Sequence, residues 1–319
     1  MSSDYIRVAY PEPHAARGRQ MLAAHPELRT LIGPERTSVA WMVALVAAQM
    51  ALALLVGDRP WYVWLPCAYI VGATLDHALW ALIHDSAHNL VMRWRTGNRV
   101  AAIIANLPLV FPAAISFAKY HLLHHRHMGD MDFDAGVPGP DESRRIGRSG
   151  VMKAIWIAGT FLVQGVVRPN RMTKIRMMDV WTAVNFVVEI AAMVLLVRLT
   201  GWGPFVYLLA SSILAIGLHP LGARWVQEHF ALVPGQETYS YYGPLNKLSF
   251  NIGYHNEHHD IVTIPWSRLP QVRRIAPEFY EGLHAYQSWT GLLVRFLRDR
   301  DITLFTYIIR PGATSGRNE

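Results

Sequence analysis

The chain has 319 residues, 52% of them hydrophobic and only 17% charged, against about 25% charged in ordinary soluble domains. A single cysteine, Cys67, excludes an intrachain disulfide framework and a cysteine-based zinc site. The net charge of +7 does not mark a nucleic-acid binder, because the basic residues are scattered between apolar runs, where they govern membrane topology.

In chain order, residues 1–37 are polar and mixed in charge, a cytoplasmic segment. The first apolar run begins too late for a cleaved leader, and Ser2 stands where N-myristoylation needs glycine. Residues 38–230 form the membrane core. Ser38 to Val56 carries no charge and is close to the length of about 20 residues that spans a bilayer as a helix. Gly57-Asp58-Arg59-Pro60 is a turn, and Trp61 to Ile83 is the second span, with Trp61, Tyr62 and Trp64 as interfacial anchors. Val180 to Val197 is the third span, with one charge at Glu189, and Pro204 to His219 the fourth.

The stretch from Val100 to Ala118 is apolar, but Asn106, Pro108 and Pro112 interrupt it. Proline removes a backbone donor, which is costly in lipid, so this stretch is expected to be re-entrant or interfacial. Residues 231–319 make a polar helical cap without a span. In it, Trp289, Leu292, Leu293, Phe296 and Leu297 recur at helical spacing, an amphipathic helix for the membrane surface or for the protein core. The expected fold is an all-α membrane protein: four transmembrane helices in two hairpins, a re-entrant segment and a cytoplasmic cap.

Eight of the fifteen histidines fall in three tight groups: His84 and His88; His121, His124 and His125; His255, His258 and His259. Residues three and four apart share one helix face, so each group can aim its imidazoles at a common point. Imidazole suits zinc, copper, iron and nickel, and eight ligands exceed what one ion takes, so two metals follow. Ligands of one site must lie on one side of the membrane, which requires an even number of crossings between the groups. The Val100–Ala118 stretch therefore does not cross. The segment from Arg93 to Arg176 is rich in arginine and lysine, whereas the opposite loops hold only Arg59 and Arg198, so the histidine face is cytoplasmic.

Around the histidines, Asp85, Asp132, Asp134, Asn256, Glu257 and Asp260 are candidates to accept hydrogen bonds from ligand ring N–H groups. Asp130, Asp132 and Asp134 open like a calcium loop, but Ala135 stands where its glycine belongs and no glutamate closes it. His77 is expected to pair with Asp76, and His14, His25 and His284 to be surface or packing residues. Glu189, in mid-span, is expected to face a cavity. Tyr239, Tyr241 and Tyr242 are candidates for the approach of substrate or electron donor, with packing an equal explanation. A haem subunit or a metal transporter would place its ligands within the spans, and only Asp76, His77 and Glu189 approach that.

The three groups, H-x3-H, H-x2-H-H and H-x2-H-H, resemble the membrane fatty acid desaturase and hydroxylase superfamily. PEPHAARGRQMLAAHPEL, SFAKYHLLHHRH, GLHP, ETYSYYGPLN and NIGYHNEHHDIVTIPWSRLPQVRRIAPEFY narrow the resemblance to its sphingolipid Δ4-desaturases, over about residues 8 to 298. The resemblance implies two non-haem irons, O2 as co-substrate and a trans double bond between C4 and C5 of dihydroceramide, with C4-hydroxylation or another acyl lipid as alternatives. It implies a ninth ligand ahead of the third group, for which His229 matches. His219 matches another family position, structural or supporting a ligand. His127 departs from the aromatic residue of relatives, and its ligation stays open. No nucleotide fingerprint, c-type haem site or fused cytochrome domain is visible, so electrons from NAD(P)H must arrive through a separate cytochrome b5-like protein or ferredoxin. The location implied is the endoplasmic reticulum membrane in a eukaryote and the inner membrane in a bacterium.

Overall fold

A computed structural model describes residues 4–311, without the side chains of Val166 and Pro169. Ser2, on which the acylation reading rests, lies outside the described residues. Among the described residues, four helices are long and apolar enough to cross a membrane: α2 (Ser38–Val56), α3 (Trp61–Ala87), α8 (Val180–Thr200), and a fourth run over Trp202–His229. Between α3 and α8 lie α4 (Arg95–Asn106) and α5 (Ala114–Arg126), then the short α6 (Pro140–Ile146) and α7 (Gly150–Ala158). The fourth run divides into α9 (Trp202–Ala215) and α10 (Arg224–His229) about a short 3-10 turn at Pro220–Ala223.

The second span reaches four residues past Ile83, to Ala87, because His84 and Asp85 are buried among protein side chains and need not leave the helix for water. Pro66 lies inside it and is followed by a π-helical turn over Ala68–Gly72. A proline has no N–H to give, and a wider turn is one way to re-seat the ladder. At Gly72 an added Cβ would fall 2.2 Å from Ser211 Oγ, so glycine lets α3 and α9 approach closely. Trp61, Tyr62 and Trp202 are exposed at the span ends, as anchors require.

The interrupted stretch forms two helices, with the chain turning by 117° between them. Val110 takes a positive φ of 67° at the corner. Asn106 satisfies the backbone freed there: its Nδ2 donates to Phe111 O at 2.6 Å, and its Oδ1 accepts from Ala113 N and Ala114 N at 3.0 and 2.8 Å. Asn185 from α8 reinforces the corner, accepting from Ile115 N at 3.2 Å. The bent pair extends beyond Val100–Ala118 because both arms continue as regular helix. Glu189, one turn beyond Asn185, is buried with both oxygens lacking a hydrogen-bond partner.

The cap holds α11 (His255–Asp260), α12 (Leu269–Ile275) and α13 (Trp289–Arg298), with two pairs of very short parallel strands. One pair joins β1 (Ile6–Arg7) to β4 (Ile308–Ile309); the other joins β2 (Ser240–Tyr241) to β3 (Ala285–Tyr286). In α13, Trp289, Leu292 and Phe296 are buried in the protein core, so its apolar face is covered by protein. Lys153 of α7 closes its end, donating to the carbonyls of Phe296 and Asp299 at 2.9 and 2.6 Å. The N-terminal helix α1 (His14–Ala24) does not stand apart either. Met21, Leu28 and Leu31 pack with Ile261, Ile264, Leu269 and Val272.

Candidate metal centre

Each histidine group is aimed by helical periodicity. The last turn of α3 carries His84, with His88 as its C-cap, α5 carries its three at spacings of three and four, α11 does the same, and His229 ends α10. The donor atoms of His84, His88, His121, His125 and His258 all lie within 4.8 Å of one another, and so do those of His124, His229 and His259. His255 Nε2 lies 3.0 Å from His229 Nε2, at the edge of the second group. Thus α5 and α11 each serve both groups: His121 and His125 face one and His124 the other, with His258 and His259 divided in the same way. All nine residues converge in one region.

The spacing fits metal better than mutual hydrogen bonding. Nε2 atoms face each other at 2.8 Å (His88 and His121), 2.9 Å (His121 and His125), 3.0 Å (His125 and His258) and 2.9 Å (His124 and His229). An imidazole nitrogen sits about 2.1 Å from a first-row ion, so two ligands at right angles lie about 3.0 Å apart. In a neutral imidazole Nε2 either donates one proton or accepts one, so the three successive contacts His88–His121–His125–His258 cannot all be hydrogen bonds. His259 Nε2 is buried with no hydrogen-bond partner, another donor aimed inward. Phe117 stacks on His121 with ring centroids 5.1 Å apart and keeps water from that face. A narrow cavity lined by Ala81, Phe250, Ile252, Trp266 and Leu269 opens beside His84, His255 and His258.

The polar residues proposed to support the ligands divide. Asp134 does so: its Oδ1 lies 2.8 Å from His124 Nδ1, while Gly129 N and Gly136 N donate to the same carboxylate. Asp85 Oδ1 is 3.5 Å from His84 Nδ1, and its Oδ2 accepts from Trp266 N at 3.0 Å. Asp132 instead pairs with Lys174 at 2.5 Å, half exposed, because the turn that buries Asp134 leaves Asp132 outside. Glu257 accepts from Ser240 and Tyr242 hydroxyls at 2.6 and 2.7 Å, and burial pushes its carboxyl up to about 7. Asn256 accepts from Arg17, and Asp260 from Arg17 and Tyr280 with His14 alongside, so neither carboxamide nor carboxylate bonds a ligand ring.

His219 caps the 3-10 turn, its Nδ1 accepting from Leu221 N at 3.2 Å, and so takes the structural role. The expected pairing of His77 with Asp76 is not found. Asp76 is taken by Gln49 and Ser212, and both ring nitrogens of His77 are buried without a partner. His127 ends α5 beside Phe133, with ring centroids 4.9 Å apart. Tyr239 and Tyr241 are core residues: the first is bonded to Gln236 O, the second stacked 4.0 Å from Trp289. Of the three tyrosines only Tyr242 is partly exposed. Sequence reasoning missed Glu228, which precedes His229, lies 3.8 Å from His255 Nδ1 and is paired with Arg224 at 2.6 Å. An acid beside a ligand was the signal.

The fatty acid desaturase family profile matches residues 59–290, which include all nine converging histidines. The chain belongs to the fatty acid desaturase family. A second profile, the sphingolipid Δ4-desaturase domain, matches residues 1–37. Relatives over nearly the whole chain include sphingolipid delta(4)-desaturase DES1-like of Oryza sativa subsp. japonica, 36% identical over 98% of this chain and 94% of its own length. Sphingolipid delta(4)-desaturase DES1 of Drosophila melanogaster is 38% identical over 93% and 92%. The bovine sphingolipid delta(4)-desaturase/C4-monooxygenase DES2 is 39% identical over 97% and 95%. This desaturase therefore sits in the sphingolipid Δ4 branch and is a membrane oxidoreductase.

Proposed function

We propose that this desaturase introduces a trans double bond between C4 and C5 of dihydroceramide. The observation that carries the chemistry is the pair of imidazole foci, five nitrogens at one and three or four at the other. The choice of lipid rests on the relatives, all of sphingolipid Δ4 type at 36–39% identity. Two irons at the foci, with O2, would supply the oxidising power that an unactivated C–H bond demands.

The chain's own residues bind and exclude. His84, His88, His121, His125 and His258 are assigned to one iron, and His124, His229, His255 and His259 to the other. Asp134 fixes His124 in the tautomer that presents Nε2 to the metal. Phe117, Phe250, Ile252 and Trp266 form dry walls beside the imidazoles. Reducing O2 to two waters takes four electrons. Two leave with the substrate hydrogens and two come from a carrier supplied by NAD(P)H. Arg126, Arg144, Arg145 and Arg273 make the histidine side basic, which suits an acidic cytochrome b5-like protein or ferredoxin on the cytoplasmic face. The membrane is the endoplasmic reticulum in a eukaryote, or the inner membrane in a bacterium.

A second outcome, hydroxylation at C4, is favoured by the C4-monooxygenase name of the bovine relative. Expression in a host that makes dihydroceramide, with a matching electron donor, separates the readings by lipid profile. A new C4–C5 trans double bond supports the proposal, and a 4-hydroxyl product supports the second reading. Unchanged sphingolipids beside altered glycerolipid acyl chains reject both.

A further inference from the structure

The third histidine group sits on α11, which is six residues long and has no side-chain cap at its N-terminus. Such a helix is too short to hold its own conformation, so its register is set by what packs on it. Two of its residues are tied to α1. Asp260, directly after His259, has a fully buried side chain that meets His14 Nδ1 at 2.6 Å and Arg17 Nε at 2.8 Å. Asn256, directly after His255, accepts from Arg17 Nη2 at 3.2 Å. His14 is itself held by Thr238 Oγ1 at 2.9 Å, and its ring centroid is 4.9 Å from that of His259. One turn along α1, a Cβ at Gly18 would fall 2.1 Å from the carbonyl oxygen of Asp260, so the two helices touch backbone to side.

The tethered residues thus bracket a helix that feeds both foci, His258 to one and His255 and His259 to the other. A roll of α11 would change the spacing of the two foci together. We propose that α1 is a positioning element of the metal centre: His14 and Arg17 fix the roll of α11 and thereby the distance between the two metals. This rests on the metal-binding reading of the histidines. It assigns a task to the N-terminal segment, which the desaturase core profile does not include.

The test compares purified wild type with His14→Ala and Arg17→Leu, and with the conservative His14→Gln and Arg17→Lys. Iron per chain and iron-edge X-ray absorption report on the centre. Hydrogen exchange over residues 255–261 of the iron-free chains reports on α11. The expected result is iron falling from two toward one per folded chain, a lost or lengthened iron–iron vector, and exchange at least tenfold faster in the Ala and Leu variants. The Gln and Lys variants recover most of each signal, and they carry the test if the harsher pair does not fold. Two irons at an unchanged separation with wild-type exchange would overturn the proposal. So would iron lost only in proportion to unfolded protein, which makes α1 a general brace. A wild-type chain that binds no iron rejects the metal reading itself, an outcome distinct from a variant that keeps both irons.

Discussion

His124 joins Asp134 to His229: its Nδ1 lies 2.8 Å from the Asp134 carboxylate and its Nε2 2.9 Å from Nε2 of His229. A carboxylate at one ring nitrogen leaves the other as a lone-pair donor, which is what a metal ligand requires. Asp134→Asn places an amide there, which can offer either a donor or an acceptor and no longer enforces the tautomer. We expect metal affinity at that focus to fall by about 10–100-fold. Iron titration monitored by bound metal per chain checks this, and unchanged affinity would show that Asp134 does not support the ligand.

His229 and His219 make a matched pair, both close to the third group in sequence and both matching family positions. His229 faces a focus, whereas His219 spends its Nδ1 on a backbone cap. His229→Ala and His258→Ala should abolish turnover with loss of bound iron. His219→Ala should keep both irons and cost about 1 kcal/mol of stability, the usual worth of a cap. Lost iron in His219→Ala, or near-normal turnover in correctly inserted His258→Ala, would reverse the assignments.

Asn106 makes three of the hydrogen bonds at the corner between α4 and α5. Asn106→Ala leaves the buried Ala114 N–H without its partner, whereas the Phe111 carbonyl and the Ala113 N–H keep their bond to each other at 2.8 Å. A buried group left unsatisfied costs about 1–3 kcal/mol, so the variant should lose about that much. Unfolding in detergent, followed by loss of the helical signal, measures it. A variant as stable as wild type would mean that water fills the corner.

Asp179 caps α8 through Thr182 N and pairs with Lys119 of α5 at 2.9 Å, and these contacts hold its carboxyl down to about 2 from 3.8. A depressed carboxyl stabilises the fold fully above its unfolded value and loses that contribution as pH falls through the folded one. The contribution should therefore be present above pH about 4 and vanish toward pH about 2. Half-exposed, Asp179 contributes modestly. Asp179→Asn should flatten this part of the stability profile, and an unaltered acid profile would contradict the pairing.

Much of the fold was legible because lipid leaves few alternatives. Uncharged runs such as Ser38–Val56 can only be spans, and Pro108 and Pro112 make a continuous helix untenable. The eight grouped histidines were legible for a similar reason, since the spacing of three and four fixes a common face before any tertiary contact exists, whereas His229 came from the family resemblance alone. The surroundings were not. Asp132 and Asp134 look alike in the sequence, and only the turn that buries one and exposes the other distinguishes them. His77 and Asp76 are neighbours along α3, yet adjacent helical residues point to different faces, so Asp76 found Gln49 and Ser212 instead. His14 gave no sign that it would meet Asp260, because contacts 246 residues apart leave no local pattern.

We assign two irons acting on a lipid to the nine histidines. Metal analysis of the purified chain, with an absorption spectrum of the same sample, is the test of that assignment. Two non-haem irons per chain and no Soret band are expected, with both irons lost in a variant lacking His125 and His259. A haem spectrum, or a single labile zinc with no iron, would contradict it.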